Sequence, residues 1–558
     1  MVIEVLIVIV TGMVAIAAAA VLGPRLGIAS PLVLVVVGIV ASFMPAFADV
    51  RIDPEWILAG VLPPLLYAAA VSMPTMNFRR EFGAISGLSV LLVVGSSLVL
   101  GLFFMLVIPG LGYAWAVALG AVISPTDAVA VSIIRKMPVS KRVLAILDGE
   151  SLLNDPTALV LLNTATTAAV ATFSMWSTLG RFCYAVTVAV AIGFVVGRGN
   201  LAVRRRLTEP AVNTVVSFTV PFLASIPAEL VGASGLVAAV TAGIVTGFRA
   251  PRELSSRNRL SDTQNWRTAE LVLEGAVFLT MGVQMRSVVA DVQADHGGVG
   301  AAVLVACGAL ILTVLLRAAY VAPLLALLAA QARRRVAMQP RIADFHERVS
   351  TPEGKQAALE KMSARGRSVS ERQLDRFMAR VSRGLATIDY LVREPLGWRE
   401  GVVVVWAGMR GAVTVAAAQT LAEDTPKRPV LVLVAFTVAA VSLLLQGGTI
   451  GPIVQRLMLP ADQAAAEEQS AAERDSIFAL LREASESVPG APDLTGERTQ
   501  ATFEAARAHR LAVIDAQRSA LLDARDNGTF DADVLASALD GLDATEIDIV
   551  MRGKFATV

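Results

Sequence analysis

Cysteine and histidine are almost missing from this chain, which has two cysteines and three histidines in 558 residues. Cys183 and Cys307 both fall in apolar stretches, so the sequence offers neither a disulfide framework nor a zinc site. His296, His346 and His509 lie outside every apolar segment, which leaves an intramembrane metal hydrolase without its paired imidazole and carboxylate. Charged residues are scarce at 17% and nearly balanced at a net of +1, so the total points to no nucleic-acid or acidic partner. No glycine-rich phosphate cradle is evident, and neither a nucleotide nor another cofactor is expected. Met1 to Leu22 has no basic stretch before it and reads as a membrane span rather than a cleaved leader.

What remains is apolar. Hydrophobic residues make up 55% of the chain, with a mean hydropathy of +0.64, and they come in long blocks. A helix needs about 20 such residues to cross the hydrocarbon core. Thirteen segments qualify, near 2–22, 28–47, 54–73, 83–109, 112–135, 143–172, 180–197, 211–231, 234–248, 268–287, 299–330, 401–421 and 429–456. The fold class expected is an all-α polytopic membrane protein. Alternate loops carry sixteen Lys or Arg against five in the opposite set. Positive loops stay in the cytoplasm, which puts the N-terminus outside and the C-terminus inside. Trp56, Trp115, Trp176, Trp266 and Trp398 fall at span ends, as an aromatic belt requires.

Two polar pieces stand apart. Residues 331–399 form a loop with fifteen Lys/Arg against eight Asp/Glu, opening on Arg333-Arg334-Arg335 beside the lipid surface. From about 460 the chain turns acidic, with nineteen Asp/Glu against nine Lys/Arg. Within it, Phe503, Leu511, Ile514 and Leu521 keep helical spacing up to Asn527-Gly528, a helix-stop signal. The expected division is a membrane domain over 1–457, including the loop 331–399, and a helical cytoplasmic tail over 458–558.

Chemistry concentrates where lipid should forbid it. Ionisable side chains inside spans line watery paths or pair with one another. Span five contains Ser124-Pro125-Thr126-Asp127 at mid-depth. Pro125 removes a backbone donor and frees the carbonyl of Ala121. Hydroxyls, free carbonyls and a carboxylate at a break make a cation site; alternatively, Asp127 only caps the second half-helix. Span six opens with Glu150-Ser151-Leu152-Leu153-Asn154-Asp155, in which Ser151 and Asp155 share one face and Glu150 and Asn154 the next. These hard oxygen donors suit an alkali cation, although a polar cluster gluing helices is the plainer reading. Arg317 in span eleven and Arg410 in span twelve each need a partner, with Glu150 and Glu274 as candidates. Asp127-Ala128-Val129-Ala130-Val131 is echoed by Gly411-Ala412-Val413-Thr414-Val415, a hint of the inverted repeats from which transporters are built.

Four stretches taken in order carry a resemblance: Ser-Pro-Thr-Asp-Ala-Val-Ala-Val at 124–131, Gly-Glu-Ser-Leu-Leu-Asn-Asp at 149–155, Trp-Ala-Gly-Met-Arg-Gly-Ala-Val at 406–413 and Gln-Gly-Gly-Thr-Ile at 446–450. They resemble signatures of the sodium/proton exchanger family, and within it the electroneutral branch of monovalent cation/proton antiporters. The resemblance covers about 1–457. It implies thirteen helices, two of them discontinuous and crossing, a homodimer, and an elevator-like motion. By position it makes Asp155 the carboxylate that carries cation or proton. Asn154 stands where electrogenic relatives have a second Asp, Thr126, Asp127 and Ser151 surround the ion, Glu150 and Arg317 form a structural pair, and Arg410 is the charge of the second broken helix. Two positions depart from the family pattern. Ala68-Ala69-Ala70 stands where many relatives have an acid, and Glu274 where many have Asn.

The expectation is therefore an antiporter of the cell membrane rather than an enzyme, with the lipid bilayer, a monovalent cation and H⁺ as its partners. Na⁺ is the first choice of cargo, with Li⁺ or K⁺ as alternatives. A K⁺/H⁺ antiporter on the same scaffold is the runner-up, and a cation channel is the rival from another class.

Overall fold

A computed structural model describes residues 2–25, 28–44, 53–137, 139–170, 175–294, 298–351, 353–357, 370–457, 460–490 and 500–555. Among these residues the chain is helical, with no strand. In order, the helices are α1 (Val2–Arg25), α2 (Ser30–Ser42), α3 (Trp56–Ser72), α4 (Thr75–Val107), α5 (Tyr113–Ile123), α6 (Val129–Ile134), α7 (Lys141–Val170), α8 (Met175–Arg204), α9 (Pro210–Leu230) and α10 (Gly235–Glu253). There follow α11 (Ser256–Val283), α12 (Met285–Ala294), α13 (Val299–Ser350), α14 (Glu371–Arg393), α15 (Trp398–Trp406), α16 (Ala412–Gln419), α17 (Arg428–Leu457), α18 (Pro460–Glu486), α19 (Gln500–Asn527) and α20 (Ala532–Phe555). Among the described residues, the core of each expected segment lies on one helix or on a pair of half-helices. Among the described residues, seven helical stretches are long and apolar enough to cross a membrane, and α2, α3 and α5 are shorter apolar helices. The protein is an all-α polytopic membrane protein.

Contacts divide the chain into two compact units, Met1–Pro323 with Trp398–Leu459, and Leu324–Gly397 with Pro460–Val558. The boundary expected at 457/458 falls beside residues 458–459, which lie outside the described residues, as does the side chain of Trp176.

The first unit has two bundles. One gathers α4, α5, α7, α12, α13, α16 and α17 around Phe104, Leu119, Ile123, Leu162, Leu431 and Val438. The other packs α3, α8, α9, α10 and α11 around Tyr67, Ala224, Ala238 and Trp266. Small residues bring the second bundle close, as lipid-embedded helices require. A Cβ on Gly243 would press on the Tyr67 carbonyl and on Ala70, so α10 and α3 meet backbone to backbone. A seam of Leu62, Leu66, Ile85, Leu152 and Leu236 joins the bundles. Leu102, Leu106, Leu223, Leu304 and Leu315 stand exposed, an outer surface that only lipid would accept.

Several helices run past the expected span limits because polar residues continue them. α11 starts at Ser256, capped by the Ser255 hydroxyl, twelve residues before the apolar stretch. α4 starts at Thr75 and buries Glu81 against Arg142 at 2.7 Å. Arg142 and Arg204, two of the sixteen charges assigned to the inner loops, are instead buried ion-pair partners; Arg204 meets Asp262 at 3.0 Å. Trp266 corrects the aromatic belt, since it is 5% exposed and donates to the Ser217 hydroxyl at 2.9 Å. A hydrogen-bonding indole end explains how it sits in a bundle core.

In the second unit, α18, α19 and α20 pack through Ile477, Leu521, Ala524 and Leu535. The stop expected at Asn527-Gly528 is present. Gly528 has φ +72°, its N–H donates to the Arg525 carbonyl at 3.1 Å, and that of Thr529 donates to Ala524 at 3.0 Å. This pattern closes a helix in the left-handed region that favours glycine.

Candidate cation-binding site

Pro125 follows the end of α5 at Ile123, and the chain leaves the helix until α6 begins at Val129. Gly408 and Gly411 bracket a matching break between α15 and α16. The two breaks touch, with the Asp127 N–H donating to the Met409 carbonyl at 2.8 Å. Four helix ends thus converge inside the bundle, where their unpaired backbone groups and dipoles need compensation.

The compensation is charge-matched. Arg410, 2% exposed, donates from Nε to the Ile123 carbonyl at 2.9 Å and from Nη1 to Gly408, closing the C-terminal end of α5. The Ser442 hydroxyl accepts its N–H at 2.9 Å. Arg317 donates from Nε to the Val404 carbonyl at 2.9 Å near the end of α15. At the positive ends the pattern reverses. Asp127 Oδ1 accepts from the Val129 N–H at 3.0 Å, and its Oδ2 fills the space where a side chain on Gly411 would begin. The Asp127 carboxylate therefore caps the start of α6, the role expected for the second half-helix, and lies against Gly411 before α16. Arg410 also corrects the expectation of a carboxylate partner: the freed carbonyls of the broken helix take its donors.

Beside the crossing, α7 carries the remaining candidates. Glu150, 2% exposed, takes both Nη atoms of Arg317, with the Nη2–Oε2 bond at 2.7 Å. The Thr126 hydroxyl donates to Glu150 Oε1 at 3.0 Å and accepts from Asn154 Nδ2 at 2.8 Å, while the same amide reaches the Thr126 carbonyl at 2.8 Å. Asn154 thus pins the broken strand to α7 and leaves Glu150 fixed. The Ser151 hydroxyl donates to the Asp148 carbonyl at 3.0 Å, keeping its lone pairs free.

Asp155 differs from all of these. It is half-buried, and among the described residues its carboxylate has no hydrogen bond or ion pair. It borders a cavity of about 470 Å³, together with Thr126, Asp127 and Ser151. On its other side lies a void of only about 10 Å³, walled by Ala121, Val122, Leu162, Val413 and Ala417. Asp155 therefore faces space on one side and an apolar plug on the other. The cavity runs out to Arg135, which is 55% exposed and doubly bonded to Asp148 at 2.8 and 2.9 Å. At the opposite end of α11, Gln284, Asp291 and Arg428 border a separate cavity of about 720 Å³.

Arg267 and Glu270, which the sequence did not mark as site residues, line the 470 Å³ cavity together with Glu274 from one face of α11, at 3- and 4-residue spacing. Sequence reasoning also missed the polar centre of the other bundle, where Arg204 Nε donates to Asn213 at 2.9 Å and pairs with Asp262. The run Arg204-Arg205-Arg206 looks like a loop and hides its buried first member.

A family model described as "Sodium/hydrogen exchanger, transmembrane" matches residues 12–343 and 376–456. The chain is 27% identical to an uncharacterised Na⁺/H⁺ exchanger of Mycobacterium tuberculosis over 98% of this chain and 96% of that one. It is 25% identical to the Na⁺/H⁺ antiporter ApNhaP of Aphanothece halophytica over 85% of this chain and 79% of that one. The fold is similar to that of the sodium proton antiporter MjNhaP1 from Methanocaldococcus jannaschii, with a TM-score of 0.54 at 15% identity, over 81% of this chain and 99% of that structure. With the family model covering most of its length, the chain belongs to the sodium/hydrogen exchanger family, whose members are membrane transporters exchanging monovalent cations for protons.

Proposed function

We propose that this protein exchanges Na⁺ for H⁺ one for one across the cell membrane by competition at Asp155. The single observation that carries the reading is the state of that carboxylate. It alone among the crossing's acids is uncommitted, and it sits at the floor of a cavity large enough for a hydrated ion. A cation needs the deprotonated oxygens, so cation and proton exclude each other there. Ser151 and the Thr126 hydroxyl add neutral oxygens, and Asp127 adds charge while capping α6. This donor set is hard and suits a small alkali ion. The apolar plug behind Asp155 closes one path while the cavity opens the other, as an alternating carrier requires and a continuous channel would not.

Asn154 is the basis for the stoichiometry. Its amide bonds Thr126 and carries no charge, so one titratable group at this point trades one cation for one proton. The loop charges favour the cytoplasm as the side on which Arg135 and Arg267 lie. A homodimer, with residues 458–558 as a cytoplasmic tail outside the transport chemistry, completes the reading. Proton flux in proteoliposomes, with Na⁺, Li⁺ and K⁺ added in turn under a valinomycin clamp, tests it. Na⁺-driven flux that is insensitive to voltage is the expected result. A K⁺ preference would select the other cargo, and a clear voltage dependence would refute the one-for-one exchange.

A further inference from the structure

The cavity wall holds five carboxylates, and its cations do not match them. Asp148 is taken by Arg135. Glu270, at the mouth, feels both Arg267 and Arg135. Asp127 accepts from the start of α6 and lies against Gly411 before α16. Two carboxylates are left without compensation, Asp155 and Glu274. Glu274 lies one turn deeper than Glu270 on the same face of α11, and among the described residues it has no hydrogen bond or ion pair. The charged groups acting on it are Asp127 across the cavity and Glu270 on its own helix. The neighbouring helices α2 and α16 contain no ionisable residue, α3 offers only Tyr67, and neither Arg25 of α1, Glu229 of α9 nor Arg286 and Asp291 of α12 acts on it. Asp155 in turn feels Asp127. From the mouth inward, the order of electrostatic contact is Glu270, Glu274, Asp127, Asp155.

We propose that Glu274 is an affinity-determining residue of this transporter, whose uncompensated charge draws the monovalent cation from the cavity mouth toward Asp155 without ligating it at the final site. The proposal rests on the reading of Asp155 as carrier. A fixed charge at a distance acts on every monovalent cation alike, because it sees charge and not radius. Direct ligation would instead discriminate by ion size and dehydration. Glu274 therefore sets how much cation the cavity holds, while Asp155 and its hydroxyl neighbours set which ion is carried.

The test is cation-driven proton flux by the full chain in proteoliposomes at one alkaline pH, where the Glu274 carboxylate is ionised, and at fixed ionic strength. Glu274→Gln keeps the shape and removes the charge. The proposal expects the apparent KM for Na⁺ and for Li⁺ to rise by the same factor, about tenfold, with the maximal rate within about twofold of the unaltered protein. Glu274→Asp should restore most of the loss, which a purely structural role would not produce. An unchanged KM, a fall in maximal rate alone, or a changed Na⁺/Li⁺ preference would overturn the proposal. Voltage dependence that vanishes in Glu274→Gln would overturn it too, by making Glu274 a transported-proton site. Asp155→Asn in the same assay separates the two ideas, because activity surviving that change would defeat the carrier reading itself.

Discussion

Two of the buried polar centres of the first unit are built from the same ingredients, and the one at the helix crossing borders a cavity between charged walls. In the α8–α11 bundle, Arg204 and Asp262 pair at 3.0 Å, Asn213 accepts from Arg204 at 2.9 Å, and Asn200 donates to Thr246 at 3.3 Å. Each ion there has its counter-ion, and the Tyr67 and Trp266 rings, 5.1 Å apart, lie beside the network. At the helix crossing, Arg317 is matched by Glu150 and Arg410 by carbonyls, yet Asp155 there, like Glu274 on the facing α11, borders the cavity without a counter-ion. Pairing makes a scaffold. A carboxylate in excess, held by paired neighbours and reachable from one side, makes a carrier.

Breaking pairs should expose that division. Removing one partner of a buried ion pair strands the other and costs about 3–5 kcal/mol. Glu150→Ala and Asp262→Ala should therefore both lower thermal stability in detergent by that order. Only Glu150→Ala should also erase transport per folded molecule, because it frees Thr126 and Arg317 beside Asp155. Equal transport by the two folded variants would remove the distinction.

A smaller disturbance is Gly411→Ala. The new Cβ would overlap the Asp127 carboxylate, which must then leave the start of α6 that it caps. Exchange should fall about tenfold, with a melting temperature lowered by only a few degrees, about 1–3 kcal/mol of overpacking. The matching change at Gly448, which has open space around it, should leave flux near normal and serves as the control.

The smallest effect expected is from the acidic segment. Ending the chain after residue 459 removes no group of the crossing or the cavity wall. Flux should remain measurable within about threefold, and total loss in a well-inserted truncation would show that the tail takes part in transport.

These outcomes rest on features the sequence shows unequally. Breaks at Pro125 and between Gly408 and Gly411 were legible because proline and glycine act on the backbone locally. The stop at Gly528 was legible for the same reason. The partner of Arg410 was not, since nothing in a linear pattern says that carbonyls from residue 123 will lie beside residue 410. Helix ends were misjudged where a polar start is paid for by a distant residue, as Glu81 is by Arg142. Trp266 looked like an interface anchor because its partner, Ser217, is 49 positions away. Glu274 was singled out as a departure from the family pattern, but its place on the cavity wall needed the packing of α11 against the crossing.

The central claim is that proton and cation compete for one carboxylate. Measured across pH, the apparent Na⁺ affinity should fall roughly tenfold per unit below the pKa of the carrier, since the protonated group cannot bind the ion and one unit is about 1.4 kcal/mol. Asp155→Asn is close in shape and cannot bind or release a proton at this position. The direct measurement is Na⁺-driven proton flux by purified Asp155→Asn in proteoliposomes, with folding checked by thermal melting. The account predicts a stable protein with no exchange at any pH, and exchange near the unaltered rate would contradict it.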